Sequence, residues 1–324
     1  MTIKSLMMAT AVLALGTTGA LAQDCDWKPE RAVTYVVPWG AGGGTDANSR
    51  MLASMLESHF GVPFNVVNRT GGNGVTGHSA IANAEPDGYT VGAVTVEINT
   101  MHHVGLTEMD RTNITPIALV DIVPSSVLVK ADSEFDSLAD LLTYVKANPG
   151  ELTASGTSQG GIWHLALAGL LNAEGMDPAA IRWIPSKGAA PAMQELMAGG
   201  VDVATPALSE GKALVDAGEL KALAYMYDTR MAALPDVPTT KESTDSGWTL
   251  AAWISMSGPE GLPANIVCSY EKAALEAFET QEWADFKASR GADVVKMGSA
   301  ELTDYMATSD EALGETIQAV GLAK

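Results

Sequence analysis

Three glycine-rich stretches carry the residues best suited to hold a small anion. The first is Pro38-Trp39-Gly40-Ala41-Gly42-Gly43-Gly44-Thr45-Asp46. It lies between a β-branched run, Val33 to Val37, and a helical pattern from Asp46 to Phe60. Glycines let the backbone turn tightly and leave N–H groups uncovered. The helix N-terminus that follows adds partial positive charge and free donors, with Thr45 or Asp46 as its expected cap. Such a loop suits a carboxylate or phosphate and needs no lysine. It is not a nucleotide fingerprint: GxGxxG would need glycine at Thr45, and no G-K-[ST] ending follows. The competing reading is a tight turn that serves only the fold.

Asn68-Arg69-Thr70-Gly71-Gly72-Asn73-Gly74-Val75 follows the next strand and can bring donors to the same edge. Its competing reading is a structural turn into a helix. The third stretch is Ser155-Gly156-Thr157-Ser158-Gln159-Gly160-Gly161-Ile162-Trp163-His164, again of strand–turn–helix design. Two donor-rich loops, one in each half, can face each other across a cleft. Trp39 and Trp163 are expected as its walls, with core packing as the alternative.

Metal and catalytic constellations are not visible. His102 and His103 are adjacent, so on a regular strand or helix they point apart. His59, His78 and His164 are scattered, with no HExxH or Cys/His ligand spacing and no GxSxG elbow. No metal, no cofactor and no catalysis are therefore expected. Cys25 and Cys268 could pair in an oxidising compartment, but spacing alone leaves that open.

Short β-branched runs alternate with amphipathic stretches along the chain. The Asp46–Phe60 pattern sets Met51, Leu52, Met55, Leu56 and Phe60 on one face. Strands are expected at Phe64–Val67 and Tyr89–Thr95, with a helix at Val75–Ala84 between them. After strands at Ile117–Leu119 and Val127–Val129 the rhythm restarts, with helices at Phe135–Ala147, Gly161–Glu174, Ala190–Ala198 and Leu208–Ala217. The tail reads as two long helices, about Pro263–Ala288 and Ser299–Val320. This is the pattern of two open α/β units, whose ligand clefts lie at the carboxyl ends of strands.

The 324-residue chain carries a formal net charge of −20. That acidity disfavours nucleic acid and anionic membrane surfaces as partners. At the N-terminus, Lys4, the apolar run Leu6–Leu15 and Ala20-Leu21-Ala22 read as a signal peptide over residues 1–22, cleaved before Gln23. The apolar run is too short to span a membrane, and a soluble exported protein is expected.

Beyond single loops, the chain resembles the solute receptors of tripartite tricarboxylate transporters, the Bug or TctC-like family. The matching segments are residues 37–46 and 67–74, Ala84-Glu85-Pro86-Asp87-Gly88-Tyr89-Thr90, Lys187-Gly188-Ala189-Ala190-Pro191-Ala192, Gly200-Val201-Asp202-Val203 and Leu234-Pro235-Asp236-Val237-Pro238-Thr239. The resemblance implies a periplasmic Venus-flytrap receptor of two α/β lobes. Residues 23–122 and 250–324 would form the first lobe, and residues 123–249 the second. It implies a carboxylate-bearing ligand, delivery to an integral-membrane permease, and a protein that works as a monomer. Ligand contacts carried over are Trp39, Ala41, Gly42, Gly43, Thr45 and Asp46 from the first loop. Ser155, Thr157, Gln159, Gly160, Trp163 and His164 come from the third, with Lys187 and Gly188 from the matching segment beside it. Glu97 departs from the family pattern. Standing just past the strand that ends at Thr95, it would repel a simple dianion and attract an ammonium or hydroxyl group, unless it pairs with Arg50 or Arg69 or faces solvent. The expected ligand is thus a small carboxylate or an amino-acid-like molecule.

Overall fold

The computed structural model describes residues 25–324; the expected signal peptide lies outside them. Two five-stranded mixed sheets are flanked by helices. The first sheet has the order β2-β1-β3-β10-β4 and the second β7-β6-β8-β5-β9. The strands of the first are β1 (Val33–Val37), β2 (Phe64–Asn68), β3 (Thr90–Thr95), β4 (Ile114–Pro124) and β10 (Ala251–Pro259). Those of the second are β5 (Ser126–Lys130), β6 (Thr153–Ser155), β7 (Arg182–Trp183), β8 (Val203–Ala204) and β9 (Leu220–Tyr225). The two sheets share a plan. β2, β1 and β3 run parallel, and β10 lies antiparallel between β3 and β4. Likewise β7, β6 and β8 run parallel, and β5 lies antiparallel between β8 and β9.

The central parallel strands are apolar on both faces because helices cover both. Leu52, Ala53 and Leu56 of α1 (Gly44–Phe60) meet Val33, Tyr35 and Val37 of β1 in one core. α2 (Val75–Ala82) covers the other face through Ile81. In the second lobe, α3 (Leu138–Ala147), α4 (Ile162–Ala173), α5 (Ala189–Ala198) and α6 (Leu208–Asp216) flank the sheet, and the short α7 (Thr240–Ser243) follows β9. The tail differs from the expected pair of helices. It forms α8 (Ala264–Phe278), α9 (Gln281–Ser289) and α10 (Ser299–Ala319). The apolar period runs on past Phe278, but the Thr280 side chain accepts the N–H of Trp283 and starts a new helix. No helix among the described residues is long and apolar enough to cross a membrane. Cys25 is disulfide-bonded to Cys268 of α8, with Cα atoms 5.2 Å apart.

The chain crosses between the sheets at Pro124–Ser126 and again between β9 and β10. There three backbone segments close a ring of hydrogen bonds. Ser125 N donates to Leu250 O at 3.0 Å, Leu250 N to Met226 O at 3.2 Å, and Met226 N to Ser125 O at 2.9 Å. The Ser125 and Ser126 hydroxyls donate to Thr205 O and Pro206 O, both at 2.9 Å.

Beside the crossing lies a buried ion pair. Lys287 of α9 is 2.5 Å from Asp121 of β4, with the side chains 1% and 8% exposed. Asn48 of α1 donates to Asp121 at 3.0 Å and to Gly44 O at 3.0 Å. Burial pulls the Lys287 ammonium down and pushes the Asp121 carboxyl up from their usual values, each restrained by its partner. The pair fixes the first turn of α1 to the strand that leads into the second lobe.

The carboxyl end of β3 is held by His78 of α2. His78 Nδ1 donates to Gly74 O at 2.8 Å, and Nε2 accepts the Thr95 N–H at 3.0 Å. Burial lowers the imidazole to about 4, so the ring is neutral at pH 7. This one tautomer satisfies both partners.

Lys287→Met strands Asp121 without its cation and should cost about 3–5 kcal/mol. Adding Asp121→Leu should recover much of that loss in urea unfolding; a double variant no more stable than the single would refute the pairing. For His78, an unfolded imidazole titrates near its ordinary value of about 6.5. Between that pH and about 4 the unfolded chain takes up a proton that the folded one refuses. Stability should therefore fall as pH drops through this window, by up to roughly 3 kcal/mol. His78→Gln should flatten the dependence of the urea midpoint on pH, and an unaltered slope would contradict the assignment.

Candidate functional site

The first glycine loop is shaped from within by Asp46. Oδ2 accepts the Gly42 N–H at 2.9 Å and Arg50 Nε at 3.0 Å, while Oδ1 accepts Asn68 Nδ2 at 2.8 Å. Asn68 also donates to Trp39 O at 2.9 Å, so the ends of β1 and β2 are tied together. These bonds occupy both oxygens and hold the carboxyl below the usual carboxylate range, although burial pushes it up. The N-cap of α1 is Gly43, with no side-chain acceptor, rather than Thr45 or Asp46. Asp46 lies in the first turn and reaches back to the loop instead. Ala41, Gly42 and Gly43 are exposed and Thr45 is half-buried, so the first-turn donors remain open.

Trp39 closes the loop on its inner side. Its Nε1 donates to Thr95 Oγ1 at 3.2 Å, and Thr95 Oγ1 donates in turn to Glu97 Oε2 at 2.5 Å. Glu97 stands in a short 3-10 turn, Val96–Asn99, directly after β3, and is 5% exposed. Its partner is this threonine, not Arg50 or Arg69. Burial pushes its carboxyl up, against the pull of the Thr95 hydroxyl. The protonated form is therefore favoured more than for a free glutamate.

On the second sheet, β6 ends at Ser155, whose hydroxyl donates to Ile184 O at 2.8 Å. Gly156 leaves room for two tryptophans: a Cβ there would come within 2.7 Å of Trp163 Cβ and 3.0 Å of Trp183 Cη2. Thr157 O accepts both Ser186 N at 2.9 Å and Trp183 Nε1 at 3.2 Å. This brings the Ser186–Gly188 turn against the Ser155–Gly161 loop. The N-caps of α4 and α5 are Gly161 and Gly188, again without side-chain acceptors. Ser137 and Thr280, by contrast, cap α3 and α9 with their hydroxyls. Of the glycine-capped helices, α1, α4 and α5 thus offer first-turn donors without a capping side chain at the carboxyl ends of strands, whereas in α10, capped by Gly298, Ser299 N donates to Glu271.

His164 lies in the first turn of α4. Its Nδ1 accepts the Gly160 N–H at 2.9 Å, and its ring packs on Trp183 with centroids 4.7 Å apart. Burial lowers it to about 4. A neutral ring that accepts at Nδ1 carries its proton on Nε2, and no described residue accepts that proton. Gln159 and Lys187 are exposed.

The two loop systems meet. Ser158 Oγ donates to Asn73 Oδ1 at 2.7 Å, from the second sheet's loop to the first's. Asn73 holds φ at 55°, a left-handed conformation that asparagine tolerates. Nearby, a Cβ on Gly160 would lie 3.6 Å from Val104. Trp163 takes the alternative to a wall, core packing: it is 6% exposed and belongs to a buried apolar cluster that draws on both lobes. Arg290, the C-cap of α9, also approaches the first loop. Its Nη2 would lie 3.9 Å from a Cβ on Gly44, beside the α1 N-terminus. Its charge also acts on Glu210 in the first turn of α6, which burial pushes up to about 7. No local signal marks Arg290, because it reaches the loop only through the packing of α9.

Comparison with known proteins agrees with this geometry. The Tripartite tricarboxylate transporter family receptor description matches residues 49–322. Protein BugT of Bordetella pertussis is 29% identical over 318 residues, covering 95% of this chain and 92% of that protein. Among solved structures, the periplasmic binding protein BugD superposes with a TM-score of 0.81 at 28% identity, covering 91% of this chain and 99% of BugD. R. palustris Rpa4515 with adipate superposes with a TM-score of 0.83 at 28% identity, covering 92% and 99%. Fold, glycine loops and matched length lead to one assignment: this chain belongs to the tripartite tricarboxylate transporter receptor family.

Proposed function

We propose that the protein is a periplasmic solute receptor that captures a small carboxylate between its lobes and delivers it to a membrane permease. The lobes are residues 23–122 with 250–324, and residues 123–249. The observation that carries this reading is that the glycine-capped N-termini of α1 on one side and of α4 and α5 on the other lack a capping side chain. Unpaired first-turn N–H groups and the positive ends of helix dipoles bind anions without a lysine. His164 adds a neutral donor at Nε2. The adipate held by the 28% identical Rpa4515 supports a carboxylate as the ligand class.

Binding rather than catalysis is the proposed role. His78 is committed to backbone partners at both ring nitrogens, and Asp46 is used up within its own loop. Ligand that bridges the two loop systems binds the closed arrangement better and raises its population. The permease then reads the closed form. A protonated Glu97 is compatible with a dicarboxylate, whereas an ionised one would repel it.

A thermal-shift screen of C4 to C6 dicarboxylates and amino acids tests the reading. Ligand at a hundred times its Kd should add about 2.7 kcal/mol and raise Tm by several degrees, and the ligand should be recovered unchanged. No response to any carboxylate, or a ligand consumed, would sink it. Glu97 has its own test. Dicarboxylate affinity should weaken as pH rises through the ionisation of Glu97, and Glu97→Gln should remove that dependence. Glu97→Gln that leaves both the affinity for a dicarboxylate and its pH profile unchanged in calorimetry would exclude Glu97 from the site.

A further inference from the structure

Adjacent histidines diverge on a regular element, but residues 100–106 form irregular turns. There the His102 and His103 rings stack with centroids 3.9 Å apart and planes 39° apart. Both turn Nε2 toward one oxygen, Asp310 Oδ1 on α10, at 3.3 Å and 3.2 Å. The three donor atoms lie within 4.8 Å of one another. Around a tetrahedral ion with bonds of about 2.0–2.1 Å, neighbouring ligand atoms are about 3.3 Å apart. The imidazole–carboxylate edges already have that length. His102 gains little from the arrangement as it stands, because its Nδ1 is buried without a partner and its Nε2 makes only the shared approach to Asp310.

We infer that His102, His103 and Asp310 form a binding site for a first-row divalent transition ion, with water at the fourth position. Two imidazoles and one carboxylate favour Zn²⁺, Ni²⁺, Co²⁺ or Cu²⁺ over Mg²⁺ and Ca²⁺, which prefer all-oxygen shells. Arg111 lies 3.4 Å from the other oxygen, Oδ2. It orients the carboxylate and leaves Oδ1 to the ion, while its charge weakens the site. The site is separate from the glycine loops. Its effect reaches them through Val104, which adjoins Gly160 of the second loop system. A bound ion fastens the turn that carries Val104 to α10.

Tag-free protein stripped with a chelator and titrated calorimetrically with ZnCl₂ tests the site. One Zn²⁺ per chain is expected, with a higher Tm and, for Co²⁺, the strong visible absorption of four-coordinate geometry. His103→Gln and Asp310→Asn should each weaken Zn²⁺ by about tenfold or more. Arg111→Gln should tighten it about threefold or more by removing a neighbouring positive charge. The Tm of each variant in chelator reports its fold independently of the ion. Absence of binding at millimolar Zn²⁺, or unchanged affinity in folded His103→Gln or Asp310→Asn, would overturn the site. So would an Arg111→Gln variant that binds Zn²⁺ more weakly than the wild type.

Discussion

A chain that passes between two sheets must pair its peptide groups in a place that water does not reach. The ring formed by Ser125, Met226 and Leu250 meets that requirement with three backbone hydrogen bonds. Each segment donates once and accepts once, so no side chain is needed to close it. Ser125 and Ser126 then spend their hydroxyls on Thr205 O and Pro206 O at the end of β8. The strands on either side, β4 with β10 and β5 with β9, take their place in each sheet from this ring. Both lobes inherit the same layout: three parallel strands whose carboxyl ends carry the loops, then one antiparallel strand, then an edge strand antiparallel to that one.

That layout puts the donor loops where they are useful. A parallel strand that leads into a helix leaves the helix N-terminus at the sheet's edge. Where a serine or threonine caps the helix, the first-turn donors are satisfied within the protein, as at Ser137 and Thr280. At Gly43, Gly161 and Gly188 no side chain caps the helix, whereas beside Gly298 the Ser299 N–H is taken up by Glu271. Shape must then come from elsewhere, and Asp46, Asn68 and Arg50 provide it for the first loop. An acid that looks from its position like an anion-repelling residue is in fact held by three donors of its own loop and neighbours.

The strand–glycine–helix units at 38–46 and 155–164 were legible because each contrast is local: a β-branched run, a cluster of glycines, then a 3.6-residue apolar period. The same locality hid other features. β4 spans Ile114–Pro124, but Pro116, Asp121 and Pro124 break its apolar pattern, so only its middle reads as strand. Asp121 belongs there because Lys287, far along the chain, supplies its charge partner. The break between α8 and α9 rests on one threonine inside a continuous apolar period. Trp163 is buried rather than at a cleft wall, and only glycine at position 156 avoids crowding its Cβ, a contact across seven residues that no local pattern marks. Ser158 with Asn73, and Arg290 beside Gly44, are products of tertiary packing that no local pattern encodes.

The electrostatics of the proposed site can then be reconciled with an acidic protein. The formal charge of −20 is spread over the whole chain, and its long-range effect is screened beyond about 8–10 Å at ordinary ionic strength. What a bound carboxylate meets at the loops is a set of backbone dipoles, which cost no desolvation of a buried cation. Burial favours the neutral acid for both Glu97 and Glu210, and Arg290 adds a positive charge beside the α1 N-terminus. Burial disfavours the charged form of each carboxyl and so works against negative charge beside the loops. The acidic residue that most seemed to exclude an anion from the end of β3 is thereby compatible with one.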